Sequence, residues 1–352
     1  MEVPEIVGQD EAIQILDREL TSGKVSHAHL LWGPSGSGKT LLARRFVLAL
    51  NCAERRETGP GSRARLWFCG ECCHCRKIMS DSHPDFNIIV PEGDSIKIDQ
   101  IREMQSRISR KPNESHLKTW LLDGADHLTE EAQNCLLKVV EEPPGDAAII
   151  LTAENPGLLR PTVVSRCQRV RLSTVDPARV REWAELTLGV SAERARFLAA
   201  LSGGLPGQVI KLASDDAYFA LRKTIISTVR TVLGCGSGAK AIRTSSELLD
   251  ALKKAADRED GPAVRGIASP EGAMDVIAGW FRDLFVRSVP GGEELVTNLD
   301  WMSELEEDSS RYSVKTFERL AARAMRVGRA LRGNANARLA FDDFFLYLAL
   351  LH

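Results

Sequence analysis

Gly33-Pro34-Ser35-Gly36-Ser37-Gly38-Lys39-Thr40 is the stretch that decides the fold of this chain. It follows the pattern G-x-x-x-x-G-K-[S/T], a loop that wraps the phosphates of a nucleotide. Ala28-His29-Leu30-Leu31-Trp32 leads in as an apolar run of strand length, and residues 41–50 lead out with Ala, Leu and Phe on one helical face. Strand, glycine loop and helix are the context that turns the pattern into a mechanism. The glycines let successive backbone N–H groups converge on an anion, and the helix N-terminus adds its partial positive charge. Gly33, Ser35, Gly36, Ser37 and Gly38 form the cradle. Lys39 neutralises the β and γ phosphates, and the Thr40 hydroxyl holds Mg²⁺. A plain Gly/Ser surface turn is the alternative, and the flanking pattern speaks against it. The expected ligand is ATP or ADP with Mg²⁺; whether the chain hydrolyses it is a separate question.

A chain of 352 residues has room for two or three domains at about 100–200 residues each. Hydrophobic residues at 43% and charged residues at 27% are ordinary for a globular protein. The net charge of -2 gives no whole-chain attraction to nucleic acid or membrane. No apolar run approaches the roughly 18 residues of a membrane helix, and Met1-Glu2-Val3-Pro4-Glu5 is no signal peptide. The expectation is a cytoplasmic protein with no membrane partner. Its eight cysteines are then thiols or metal ligands rather than disulfides.

Cys69, Cys72 and Cys75 stand at C-x-x-C-x-x-C spacing within Cys69-Gly70-Glu71-Cys72-Cys73-His74-Cys75, with Cys52 upstream as a fourth thiolate. Zinc takes a tetrahedron of soft ligands, and two-residue spacers let one turn present several sulfurs to one ion. Iron–sulfur clusters also use such runs, but the following Cys-Pro is missing and a remote fourth cysteine suits structural Zn²⁺ better. Cys73 and His74 are spare, and His74 is expected to point away. A loop of clustered free thiols is the bland alternative, against which stands the liability of exposed thiols. A closed four-sulfur site leaves no open position, so its role is structural.

The remaining N-terminal half alternates strand and helix. Residues 5–22 carry Ile13, Leu16 and Leu20 on one helical face, preceded by Ile6-Val7-Gly8-Gln9. An Arg/Gly-rich insertion over about 54–65 reads as a mobile loop. Residues 86–90 form a β-branched strand, and Ile98, Ile101, Met104 and Ile108 set a helix over about 98–110. Lys118-Thr119-Trp120-Leu121-Leu122-Asp123 is a buried strand ending in the carboxylate that positions Mg²⁺ and its water in phosphate-loop folds. Residues 130–142 form a helix that Pro143-Pro144 stops, and 147–152 a further strand. Such alternation means an α/β fold with a parallel sheet covered on both faces.

Several of these residues occur together in one family. Val7-Gly8-Gln9, His27-Ala28-His29-Leu30, the cysteine cluster, His83-Pro84-Asp85, Leu136-Leu137-Lys138 with Glu141-Glu142-Pro143-Pro144, and Ser165-Arg166-Cys167 resemble bacterial clamp-loader subunits of the AAA+ class. The resemblance covers nearly the whole chain. Within the family it leans to the delta-prime branch of DNA polymerase III rather than to the gamma/tau motor branch. Gly124 stands where the motor branch has a Glu after the strand-end Asp, and Pro206 where it has an Arg in the lid segment. Thr152-Ala153-Glu154-Asn155 fits the family's sensor threonine poorly, whereas Asn334-Ala335-Asn336-Ala337-Arg338-Leu339-Ala340 is close to the delta-prime pattern.

The resemblance implies nucleotide contacts from Val7, Gly8 and Asp123 besides the loop, and an arginine finger, Arg166, acting in trans on a neighbour's γ-phosphate. A guanidinium in that role is worth about 10³–10⁵ in rate. Losing the positioned base at 124 costs about 10²–10⁴, unless Asp126 or Glu130 substitutes. Taken without the family, a lone Arg in Ser-Arg-Cys is an ordinary surface charge.

Beyond about 174 the apolar spacing is helical. Val180, Trp183, Leu186 and Leu188 open a small lid with further helices at 192–202 and 206–213. From 215 onward all spacing is helical, with polar loops near 235–243 and 258–270. The Arg-rich helix at 318–332 reads as a solvated face with core opposite rather than a nucleic-acid strip. The resemblance implies an AAA+ P-loop module over 1–174 with a zinc-binding insertion at about 52–80, a helical lid over 175–214, and an all-helical collar over 215–352. It also implies partners: gamma/tau and delta subunits in a five-subunit ring, the sliding clamp, and primer-template DNA through the assembled complex. Little ATP hydrolysis is expected from the chain alone. Two other readings stay open. One is an active gamma/tau-like motor, which turnover by the purified chain would mark. The other is a zinc-containing DNA-binding module, which salt-dependent DNA affinity would mark.

Overall fold

The computed structural model describes residues 5–54, 66–142, 145–257 and 262–351. The Arg/Gly-rich insertion, apart from Glu54, and Pro143-Pro144 lie outside the described residues. The chain divides into two compact units. The first comprises 1–179 with 205–207, the second 180–204 with 208–352.

The first unit is a parallel sheet with helices on both faces. In chain order its elements are α1 (Asp10–Ser22), β1 (Ala28–Trp32), α2 (Lys39–Asn51), α3 (Cys73–Met79), β2 (Phe86–Ile89), α4 (Ile98–Ile108), β3 (Lys118–Leu122), α5 (Glu130–Glu141), β4 (Ala147–Ala153), α6 (Pro161–Val164) and β5 (Gln168–Arg171). The strands lie in the order β2-β3-β4-β1-β5, every pair parallel. Side chains alternate across each strand. Leu30, Leu122, Ile149 and Leu151 therefore pack with α4 and α5 on one face. Leu31, Leu121, Ile150 and Val170 pack with α1 and α2 on the other. Because β1 lies between β4 and β5, the phosphate loop leaves the sheet at an interior strand.

Three boundaries differ from the sequence reading. The first helix begins at Asp10 rather than 5, because Gly8 takes a left-handed φ of 69° that a helix cannot contain. Residues 168–171 form β5, which the pattern did not reveal: three of its four side chains are exposed, as befits the sheet's edge. The run Leu158-Leu159-Arg160-Pro161-Thr162-Val163-Val164 before Arg166 reads as helix-like in the sequence but is broken, with a 3₁₀ turn at Pro156–Leu158 and a single helical turn, α6.

Among the described residues the regular elements of the second unit are all helices. Its elements are α7 (Pro177–Leu188, of which 177–179 belong to the first unit), α8 (Ala192–Leu201), α9 (Pro206–Ala213, of which 206–207 belong to the first unit), α10 (Asp216–Val232), α11 (Gly238–Ala256), α12 (Pro262–Ala268), α13 (Pro270–Arg287), α14 (Met302–Ser309), α15 (Val314–Arg332) and α16 (Ala337–Ala349). Trp280, Phe281, Phe317, Phe341, Phe344 and Phe345 form its buried centre. Two expected loops are shorter than read. Ser237 caps α11 by accepting from Lys240 N–H, so the helix starts at Gly238. Within 258–270, Val264, Ile267 and Ala268 are buried at helical spacing on α12. Leu186, read as apolar face, is exposed on α7. Among the described residues no helix is long and apolar enough to cross a membrane.

Candidate functional site

The phosphate loop passes from β1 into α2, and Gly36 and Gly38 both take left-handed φ, 82° and 96°. The N–H groups of Gly36, Gly38 and Lys39 make no hydrogen bond among the described residues, and Ser37 Oγ is buried without a partner. Unpaired donors gathered at a helix N-terminus are what an anion requires. Lys39 Nζ lies 2.8 Å from the Gly33 carbonyl and 3.0 Å from that of Pro34. Burial lowers its ammonium below the usual value, and the carboxylates of Glu154, Asp126 and Asp123 act against that.

Thr40 and Asp123, read separately from the sequence, meet here. Thr40 Oγ1 donates to Asp123 Oδ1 at 2.8 Å. The same oxygen accepts from Thr152 Oγ1 at 2.6 Å, and Thr152 Oγ1 accepts from Gly124 N–H at 3.0 Å. Thr152 thus stands between the strand ends of β3 and β4. Its signal in the sequence is a lone hydroxyl in the apolar run of β4. Val7 and Gly8 lie in the approach to α1, and the adjoining Gln9 anchors that approach. Its Nε2 donates to Ser173 O at 2.7 Å and Ser37 O at 3.3 Å, and its Oε1 accepts from Ser173 N–H at 3.2 Å. Gln9 is buried and was not on the expected site.

The position after Asp123 has no side chain and cannot easily gain one. Gly124 has φ 85°, and a Cβ there would lie 3.2 Å from His127 Cδ2. The two substitutes are engaged elsewhere. Asp126 Oδ2 accepts from Glu154 N–H at 3.0 Å and Asn155 N–H at 3.4 Å, which holds the end of β4. Glu130 is exposed and faces Arg160 at 3.6 Å. Pro206 begins α9, and the next residue closes on the loop. Gly207 N–H donates to Gly36 O at 2.9 Å, and a Cβ at 207 would come within 2.9 Å of Gly36 Cα and O.

Arg166 follows α6. Its Nη2 is 2.7 Å from Glu141 Oε1, and its Nη1 donates to Thr162 O at 3.0 Å. It is two-fifths exposed, so its head remains accessible.

Cys52, Cys69, Cys72 and Cys75 converge, with all four sulfurs within 4.8 Å of one another. Ligands at about 2.3 Å around a tetrahedral zinc stand about 3.8 Å apart, and Cys69 Sγ to Cys75 Sγ is 3.9 Å. The fit extends to the backbone. Gly70 takes φ 74°, and the turn it permits aims Glu71 N–H and Cys72 N–H at Cys69 Sγ, 3.4 and 3.2 Å away. Cys75 N–H points to Cys72 Sγ at 3.4 Å. Burial works to raise the Cys72 thiol, but hydrogen bonds led by Cys75 N–H outweigh it and bring the group down to about 7. Burial raises the Cys52 and Cys75 thiols, so their thiolates would need a cation to offset the cost. These four residues are placed to hold a metal ion.

Cys73 is exposed and outside the group. His74 turns instead to His83, with Nδ1 to Nε2 at 2.9 Å. His74, His83 and Glu114 also bring donor atoms within 4.8 Å. That second cluster is a hydrogen-bond chain. His83 Nδ1 accepts from Asp85 N–H at 3.0 Å, so the neutral ring carries its proton on Nε2 and has no lone pair there for a metal. Glu114 pairs with Lys77. The motif His83-Pro84-Asp85 is structural in the same way: buried Asp85 accepts from the N–H groups of Asn113, Glu114 and Ser115 at 2.8–3.0 Å.

Residues 8–176 match the family described as "DNA polymerase III, delta subunit". The chain is 31% identical over 218 residues to DNA polymerase III subunit delta-prime of Bacillus subtilis, covering 62% of this chain and 63% of that one. It is 35% identical over 189 residues to the delta-prime subunit of Pseudomonas aeruginosa, covering 52% and 55%. To subunit tau of Salmonella typhimurium it is 29% identical over 252 residues, covering 70% and 38%. The chain thus spans roughly six-tenths of the length of the delta-prime relatives it matches. The resemblance read from the motifs holds, and over its P-loop unit this chain is delta-prime-like, with tau subunits next among its relatives.

Proposed function

We propose that this chain is a largely non-hydrolysing subunit of the DNA polymerase III clamp loader, which opens a ring clamp and places it on primed DNA. The observation that carries the reading is a complete phosphate-binding apparatus beside an absent base. Lys39 and the Thr40–Asp123–Thr152 group stand ready for a nucleotide, while Gly124 presents no carboxylate and Asp126 is bound to the turn after β4. Hydrolysis needs a group that orients and deprotonates water. The apparatus would therefore hold ATP or ADP with Mg²⁺ through the loop, Lys39, Thr40 and Asp123, with Val7 and Gly8 alongside.

Zn²⁺ would sit on Cys52, Cys69, Cys72 and Cys75 and stiffen the segment after α2, a role supported by the closed four-sulfur arrangement. Residues 175–214 would act as the lid and 215–352 as the collar. The collar would join gamma/tau and delta subunits in a five-subunit ring in the cytoplasm, with the sliding clamp and primer-template DNA met by the assembled complex. Arg166 would reach the γ-phosphate of a neighbouring motor subunit.

The test is assembly. Mixed with motor and delta subunits, the chain should enter one stable complex on size exclusion, while alone it turns over ATP far below the motor's rate. Motor-like turnover by the purified chain would move the assignment to the gamma/tau reading. Failure to enter the complex would remove the clamp-loader role.

A further inference from the structure

Helix α15 segregates charge. It holds six cations, Lys315, Arg319, Arg323, Arg326, Arg329 and Arg332, and one carboxylate, Glu318, in a chain whose net charge is -2. At 3.6 residues per turn, Lys315, Arg319, Arg326 and Arg329 fall within an arc of about 80°. The buried residues Phe317, Leu320, Ala324, Gly328 and Leu331 occupy the opposite side. This is the solvated face expected from the sequence.

What the sequence did not disclose is the pairing. Arg323 has Asp343 at 2.7 Å, Arg332 has Asp275 at 3.1 Å, and Arg338 beyond the helix has Asp342 at 3.8 Å. Among the described residues no carboxylate pairs with Lys315, Arg319, Arg326 or Arg329, all of them exposed. The cations at the margins are neutralised by this unit's own acids, and those of the central row are left to solvent. Ala322 lies in the row's middle and keeps its surface low.

We propose that this row is a docking strip for the phosphate backbone of nucleic acid, engaged by this chain itself and without base reading. The row is about 21 Å long at 1.5 Å per residue. That length faces about six phosphates of one duplex strand, spaced about 3.4 Å along the axis. Arginine's planar fork suits phosphate oxygens. A protein partner is disfavoured because interface centres are enriched in aromatic side chains, and this row has none. Its lack of aromatic side chains also removes base stacking, so contacts would position the backbone and carry no sequence information. The inference stands on charge geometry alone, so failure of the assembly test above would leave it intact.

The test is anisotropy of a labelled short duplex, and separately of oligo-dT, titrated with the full chain over a salt series. Arg319→Gln with Arg326→Gln and Arg329→Gln should weaken duplex binding about tenfold or more at low salt. It should also flatten the log K against log salt slope by about 0.9 per residue on duplex and about 0.7 on the single strand. Lys240→Gln with Lys253→Gln and Lys254→Gln removes equal charge from exposed positions of α11 and should change either slope little. Thermal melting checks that both variants fold. Equal losses in the two variants, no salt-dependent binding, or a loss that follows Cys69→Ala instead would each overturn the proposal. So would poly-glutamate bound as tightly as DNA and lost in the same variant, an outcome that points to an acidic protein.

Discussion

Arg166 is held against Glu141, guanidinium to carboxylate at 2.7 Å, with both side chains about two-fifths exposed. The two residues come from separate motifs, Ser165-Arg166-Cys167 and Glu141-Glu142-Pro143-Pro144. An exposed pair of this kind contributes about 0–1 kcal/mol, so Glu141 steadies the arginine without trapping it. A γ-phosphate from a neighbour would compete with the carboxylate readily.

Arg166→Ala should therefore leave the isolated protein folded and zinc-loaded and still permit assembly, while clamp-stimulated ATP turnover of the complex falls by about tenfold or more. Arg166→Lys should rescue poorly, because an ammonium lacks the fork. Glu141→Gln should keep turnover within about twofold, given the small worth of the pair. A normal loading rate from the assembled Arg166→Ala complex would return the residue to a surface charge.

Removing one sulfur should empty the metal site. Cys69→Ala takes away the acceptor of Glu71 and Cys72 N–H together with one ligand. Purified wild type should carry one zinc per chain and the variant little, as read by elemental analysis. Limited proteolysis should show faster cleavage around residues 66–80. Nucleotide affinity should stay the same, since the loop at 33–40 makes none of these contacts. Iron in place of zinc, or no metal in the wild type, would sink the assignment.

Lys39→Ala should lower affinity for Mg²⁺-ATP by at least about tenfold, because the charge on the β and γ phosphates goes with it. Gly124→Glu tests the empty base position from the other side. At φ 85° a side chain is strained, by about 1–2 kcal/mol, and a Cβ meets His127. The variant should lose stability and gain little turnover. Robust hydrolysis by Gly124→Glu would show that the position alone withheld the activity.

Asp85 gives a pH signature. Burial works to raise its carboxyl, but hydrogen bonds led by those from Asn113, Glu114 and Ser115 N–H overcome it and set the group to about 2. The unfolded value is near 3.9, so the folded state favours the charged form by on the order of 2 kcal/mol. That stabilisation is fully present above about pH 4 and is lost as pH falls through about 2. Asp85→Asn should cost about 2–3 kcal/mol in urea unfolding at pH 7, as the amide turns a donor toward N–H groups. The gap between variant and wild type should narrow toward pH 2. Any metal loss in acid would affect both proteins and cancel in the difference. A gap that stayed constant with pH would show that the carboxylate's charge plays no part.

Much of this protein is written in local sequence. The glycine loop between an apolar run and a helix, the two-residue cysteine spacing, and the alternation of strand and helix are short-range patterns. Backbone freedom, ligand geometry and hydrophobic periodicity act within a few residues, so each could be read without knowing what lies across the fold. Strand β5 escaped because one buried residue, Val170, leaves no alternation to see at an edge. Leu186 looked apolar-faced and is exposed, because helical spacing alone does not say which side is covered. What only the tertiary structure decided is which distant groups meet. Thr152 reaches Asp123 across neighbouring strands, Asp126 is spent on the end of β4, and Gly207 closes on Gly36. Arg323 and Arg332 find carboxylates while, among the described residues, Arg326 and Arg329 do not. Hydrogen bonds and ion pairs form or fail over a few tenths of an ångström, and residues far apart in sequence come that close only when the sheet and helices set them there.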